Sequence, residues 1–324
     1  MRRGDLSLLG LLWVACGATA HSADPPSIPT SPLALHFDDS EIQLPKAEGR
    51  RREIPTGAVV YLAEDHTLPL VEVAVALRAG SFLEPVDQVG LASLTGALVR
   101  RGGTQARSAD SFDDRVDELG ARIQSFAGFT RSAASLSVPT WALDDALDLY
   151  FEVLSSPAFQ EDRLASAKAN LRESMSRRNQ DPLEILDREW RWLVFGRQHF
   201  SSSALTTSSL DAIDRAAVTR FHGTYWRPEN FIIAVSGDFR AEEILASLEA
   251  RLARWPNPQP DRTRDGLVEW PPEGPRFEAK PGLYHYEADV AQAKVALGTR
   301  LSGDPPWDSQ DRFALEVLGE ILGG

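Results

Sequence analysis

Hydrophobic positions along the chain change period often enough to lay out a mixed α/β order. Alternating or β-branched apolar residues predict strands at 58–63 and 70–78, the second reading Val71-Glu72-Val73-Ala74-Val75-Ala76-Leu77. A helical period then takes over at 88–101, placing Leu91, Leu94, Leu98 and Arg101 at helical spacing. A second helix opens at Ser108-Ala109-Asp110-Ser111 and runs to Leu119, where Gly120 suits a helix end. Two strands near 121–127 and 131–138 meet at Gly128. Helices follow at 141–154 and 161–178, then from Asp181-Pro182 to about Phe195, then at 208–224. The strand Phe231-Ile232-Ile233-Ala234-Val235 and a helix at 241–253 complete this region.

The flanks differ in character. Arg2 and Arg3 precede an apolar run, Leu6 to Ala15, and Ala18-Thr19-Ala20 offers a small-x-small cleavage site, so residues 1–20 read as a signal peptide. The run is too short to span a bilayer as a permanent helix. Val14-Ala15-Cys16 also resembles a lipobox, which leaves a lipoprotein anchored through Cys16 as the alternative to a soluble exported form. Cys16 is the single cysteine, so no disulfide can form within one chain, and export without disulfides fits a bacterial periplasm. Residues 21–50, rich in Pro, Ser and Asp without a period, read as a flexible linker, and the prolines of 255–281 mark a second one. Beyond it, Ala293-Lys294-Val295-Ala296-Leu297-Gly298 predicts a strand, followed by the turn Asp304-Pro305-Pro306-Trp307 and a helix from Ser309 to Leu322. The order repeats that of residues 71–103 loosely, as in an internal duplication. A strand and one helix cannot bury their apolar faces alone, so 282–324 reads as the start of a second domain cut short, after a first domain at 51–254.

The formal charge of −13, spread along the chain, argues against nucleic acid or an anionic membrane as partner, since both need basic patches. Among candidate chemistry, His36, His66, His199, His222 and His285 never fall at helical spacing from one another, and read as surface or hydrogen-bonded structural histidines. Ser201-Ser202-Ser203 lacks any nucleophile motif and reads as a solvated loop. Asp144, Asp145 and Asp148 read as a solvated helix face. Of Trp190 and Trp192, which face differently on one helix, one is expected in the core.

The segments Gly57 to Asp65, Ala79-Gly80-Ser81 with Glu84-Pro85, Gly90-Leu91-Ala92, Gly103-Thr104, Tyr225-Trp226-Arg227-Pro228-Glu229-Asn230, Val235-Ser236-Gly237-Asp238 and Ile321-Leu322-Gly323-Gly324 stand in an order and spacing that resemble the insulinase/pitrilysin family of zinc metallopeptidases. In that family the first helix carries G-x-A-H-x-x-E-H. Two imidazoles at i and i+4 lie on one helix face and ligate zinc, and the glutamate between them takes a proton from the metal-bound water. Here those places hold Ser93, Gly96 and Ala97. The family's third ligand is a glutamate on a later helix; registering on Pro182 puts Ser174 there, and a slip of one residue would put Glu173 there. The resemblance implies an α/β sandwich with a mainly antiparallel sheet covered by helices. It also implies a chain that holds no zinc and has no catalytic residue. Some bacterial members are heterodimers in which one chain carries H-x-x-E-H and the zinc, while the other contributes a substrate-binding arginine and tyrosine, expected just after Gly324 in the family order. The expectation is therefore a zinc-less subunit that works with such a partner on peptide or unfolded polypeptide substrates. A binding or scaffold protein of the same fold is the alternative, and an active peptidase with unusual ligands is disfavoured.

Overall fold

The computed structural model describes residues 49–256, 277–287, 292–299 and 309–323. The leader reading, His36 and most of both linkers lie outside them. Six strands form one sheet: β1 (Arg51–Glu53), β2 (Val59–Glu64), β3 (Leu70–Leu77), β4 (Arg122–Ala127), β5 (Ser132–Pro139) and β6 (Phe231–Gly237). Their order is β1-β2-β6-β3-β5-β4. The pair β2/β6 is parallel and the other neighbouring pairs are antiparallel, so the sheet is mainly antiparallel as expected.

Alternation along the strands decides which face is covered. Val71, Val73, Val75 and Leu77 of β3 are buried, as are Ala134, Leu136 and Val138 of β5 and Phe231, Ile233 and Val235 of β6. Glu72, Ala74, Ile232 and Ala234 point the other way and are exposed. A period of two with one dry face is the signature of a sheet packed on one side. The cover is built from α1 (Leu91–Arg101), α2 (Ala109–Glu118), α3 (Leu143–Ser155), α4 (Glu161–Arg177), α5 (Pro182–Phe195), α6 (Thr207–Ala212), α7 (Arg215–Tyr225) and α8 (Ala241–Leu252). Leu94, Leu98, Phe112, Leu147, Leu154 and Trp226 are the large side chains it drives into the core. At about 25 cal/mol for each Å² of apolar surface removed from water, that burial is the main stabilising term.

Several boundaries depart from the periodicity. The helix expected at 208–224 is two: α6 ends at Ala212 and Asp214 starts α7, its carboxylate accepting the Ala217 N–H at 2.7 Å. The first helix begins at Leu91 rather than 88, because 85–88 close a turn and Gly90 takes φ +103, a conformation that favours glycine. Arg101, on the predicted stripe, is exposed at the helix end. Trp190 and Trp192 are both half-buried, so neither is the core tryptophan; Trp226 is, and Trp255 packs edge-on against Phe231.

The strand expected at Ala293–Gly298 does not form: residues 292–299 carry no strand pairing, and Val295 and Leu297 are exposed. A strand needs a neighbour to take up its backbone groups, and among the described residues none lies there. The helix α9 (Gln310–Gly323) does form, with Phe313, Val317, Ile321 and Leu322 exposed.

Candidate functional site

Helix α1 is positioned from three sides. At its start, the Glu84 carboxylate accepts the N–H groups of Gly90 at 3.1 Å and Ala92 at 2.7 Å, satisfying donors that a helix N-terminus leaves open. Burial pushes the Glu84 carboxyl above its ordinary range, against the pull of those two hydrogen bonds. Along its length, Leu91, Leu94, Leu98 and Val99 enter the core and Thr95 bonds back to the Leu91 carbonyl at 2.8 Å. Near its end, Arg100 donates to the Ile123 carbonyl of β4 at 3.1 Å and to Asp113 of α2 at 2.5 Å.

This frame fixes the three residues of α1 singled out in the sequence. Ser93 is exposed, Ala97 half-buried and Gly96 buried. Gly96 lies against β4: a Cβ built there would sit 2.6 Å from the Phe126 carbonyl carbon and 2.8 Å from the Ala127 Cβ, and closer still to the Ala127 nitrogen. The Ser125 hydroxyl donates to the Gly96 carbonyl at 2.6 Å and accepts the Arg100 N–H at 3.1 Å. Sequence reasoning gave Glu84 no individual role and had no signal for Ser125.

Ser174 is exposed on α4 and lines a cleft of about 610 Å³ with Asn170, Arg177, Asp181 and Glu184. It also lines an adjoining cleft of about 370 Å³ that reaches Arg178, Arg188, Arg191 and the serines 201–203. Glu173, the alternative register, is exposed and ion-paired with Arg177 one turn on. These side chains do not suit a catalytic zinc. Ala97 has no donor atom, Gly96 no side chain, and the serines at 93 and 174 are neutral hydroxyls, whereas such sites use His, Cys or carboxylate ligands. Among the described residues no group of three or more His, Cys, Asp or Glu is placed to hold a metal ion.

The other candidates resolve into structural roles. His222 is buried, with Nε2 3.0 Å from the Leu154 carbonyl, and desolvation lowers its pKa to about 4. His199 lies with Nδ1 2.6 Å from the Ser201 hydroxyl at the head of a short turn. That segment is less solvated than expected, since Ser202 is buried. Asp144 and Asp148 are held by Arg251 at 2.7 and 2.8 Å, and Asp145 by Arg115 at 2.8 Å. His285 is exposed. Among the described residues no helix is long and apolar enough to cross a membrane.

Residues 59–207 match the model of the Insulinase family (Peptidase family M16), and residues 212–324 match that of the Peptidase M16 inactive domain. An uncharacterized zinc protease of Mycobacterium leprae is 25% identical over 279 residues, 85% of this chain and 60% of that protein. The non-peptidase homolog YmxG of Helicobacter pylori is 22% identical over 195 residues, 60% of this chain and 45% of that protein. The chain thus spans about half the length of the curated relatives it matches. A crystal structure of a peptidase M16 inactive domain from Pseudomonas fluorescens superposes with a TM-score of 0.59 at 25% identity, over 63% of this chain and 50% of that one. With a mainly antiparallel sheet covered by helices and two family models side by side along its length, the chain belongs to the insulinase/pitrilysin family of metallopeptidases.

Proposed function

We propose that this protein is a non-catalytic member of the family: the zinc-less subunit of a heterodimeric exported peptidase, which helps to bind peptide while a partner carrying H-x-x-E-H holds the metal. The observation that carries the reading is the make-up of α1: in the family register its Ser93, Gly96 and Ala97 stand for two ligands and the base, and none of them brings an imidazole or a carboxylate. Similarity to a non-peptidase homolog and to an M16 inactive domain supports it. The leader pattern at 1–20 supports export, with Cys16 as the site of a lipid anchor if cleavage falls before it. In domain terms the proposal is a family domain at 51–254, a connection at 255–281 and the start of a related domain from 282. The physical rationale is division of labour: the partner supplies metal and base, and this chain supplies a wall that holds the peptide, since positioning alone contributes several kcal/mol to lowering a barrier.

The test is reconstitution. The full-length protein alone is expected to cleave no peptide and to retain no stoichiometric zinc after dialysis. Mixed with a family partner bearing H-x-x-E-H, it is expected to raise that partner's turnover. Chelator-sensitive activity of this protein alone, or a partner equally active with and without it, overturns the proposal; a stable complex with unchanged turnover points instead to a scaffold.

A further inference from the structure

We infer that the α1–β4 junction is a closed packing seat, so that the catalytic site is lost by steric exclusion as well as by loss of ligands. This deepens the non-catalytic reading and rests on its register of α1, but not on the existence of a partner.

Gly96 sits inside a helix, where glycine is inferior to alanine in intrinsic propensity. Its value lies in the contact. The atoms nearest its missing Cβ include the Ala127 nitrogen and the Phe126 carbonyl carbon, which belong to the backbone of β4 and cannot rotate away. Ser125 seals the same junction from the strand side. Its hydroxyl donates to the Gly96 carbonyl and accepts the Arg100 N–H, the carbonyl and amide that stand one turn apart in the helical ladder. Arg100 then ties the next turn to the Ile123 carbonyl. Helix and strand are therefore joined at three consecutive levels, by Arg100 on Ile123, Ser125 on Gly96 and Arg100, and Gly96 on Ala127. A glutamate at 96 would need its Cβ where β4 already lies, with four further heavy atoms to place beyond it. Restoring the motif would require the strand to move.

The sign of one substitution decides the matter. Helix propensity alone predicts that Gly96→Ala raises Tm; the seat predicts that it lowers Tm by several degrees. Because the obstruction is the backbone of β4, adding Ala127→Gly should not restore it. Ser93→His and Ala97→His, at exposed and half-buried positions, should leave Tm nearly unchanged. A second readout isolates position 96. Ser93→His, Ala97→His and Ser174→Glu with Gly96 retained, which completes the ligand set, should give a folded protein, and adding Gly96→Glu, the base, should lower its Tm. A Gly96→Ala protein at or above the parent Tm overturns the inference. So does a four-fold variant that keeps the Tm of the three-fold one. Neither result bears on whether the parent protein activates a partner, which is read by turnover.

Discussion

His66 and Asp238, 172 positions apart in the chain, are joined by a 2.7 Å contact between Nδ1 and Oδ1 that ties the turn after β2 to the end of β6. The Thr140 hydroxyl donates to the other oxygen of Asp238 at 3.2 Å, so three turns meet at one end of the sheet. Glu64 and Asp65 are the further acidic groups facing the imidazole. The hydrogen bond to Asp238, with the surrounding negative charge, raises the His66 pKa, and the same bond lowers that of Asp238. The raised histidine contributes stability that is complete below about pH 6.5 and is lost as pH rises through its folded pKa. The depressed carboxylate contributes above about pH 3.8, and its share is lost as pH falls through its own folded value. The pair should titrate by NMR with a His66 midpoint above 6.5, and Asp238→Asn should bring that midpoint down. Because the imidazole is exposed, added salt should shrink the difference.

His222 has the opposite sign. Held neutral in the core between Phe159 and Trp226, it keeps a pKa of about 4, while the unfolded chain protonates it near 6.5. Stability should therefore fall as pH drops from 6.5 toward 4, by about 3 kcal/mol in total from this group. Urea unfolding at pH 7 and pH 4.5 measures the loss. His222→Gln should be less stable at pH 7 and should flatten the dependence; an unchanged slope in the variant would assign the acid sensitivity elsewhere.

Glu84 should prove a stability residue, because it serves the Gly90 and Ala92 N–H groups from a half-buried position. Glu84→Ala should cost about 1–3 kcal/mol through donors left unmet, and Glu84→Gln, which keeps one oxygen acceptor, should cost less. A carboxyl whose pKa burial has raised binds its proton more tightly when folded. Its contribution therefore falls as pH rises through about 4.5 toward the folded value, and Glu84→Gln should remove that slope.

Leu136 reports on the sheet itself. It is fully buried at the centre of β5 and pairs with Val73 and Ile123. Leu136→Ala should cost about 2–5 kcal/mol, measured by denaturant midpoint at constant m-value.

Much of this architecture could be read from the chain. The strands of the sheet from β2 onward and helices α1 to α3 follow from apolar periodicity, since most of them bury one face, while α4 and α5 each bury one residue and are read from length and the Asp181-Pro182 start. What escaped has local causes. Arg51–Glu53 is three exposed charged residues, and becomes β1 only by pairing with β2. The break at Ile213-Asp214 falls within a run of helix-compatible residues, and only the capping contact to Ala217 reveals it. Ala293–Gly298 carries a strand-like pattern, but pattern without a partner edge does not make a strand. At the candidate site, the family register singles out positions 93, 96, 97 and 174. The reason a glycine stands at 96 could not be read from the chain, because the atoms that require it belong to a strand about thirty residues further on.

The place of β6 has a consequence for how the chain is made. Ile233 lies between Val60 on its parallel side and Val75 on its antiparallel side, all fully buried. Strands β2 and β3 leave the ribosome early and in succession, yet the finished sheet keeps them apart until Phe231–Gly237 arrives to fill the gap. Until then each has an open apolar edge that invites pairing with the wrong chain, and a simple β2–β3 hairpin is a trap that must reopen. Assembly of the sheet therefore waits on β6, and the nascent protein needs protection from aggregation from the emergence of β2 until that of Phe231–Gly237.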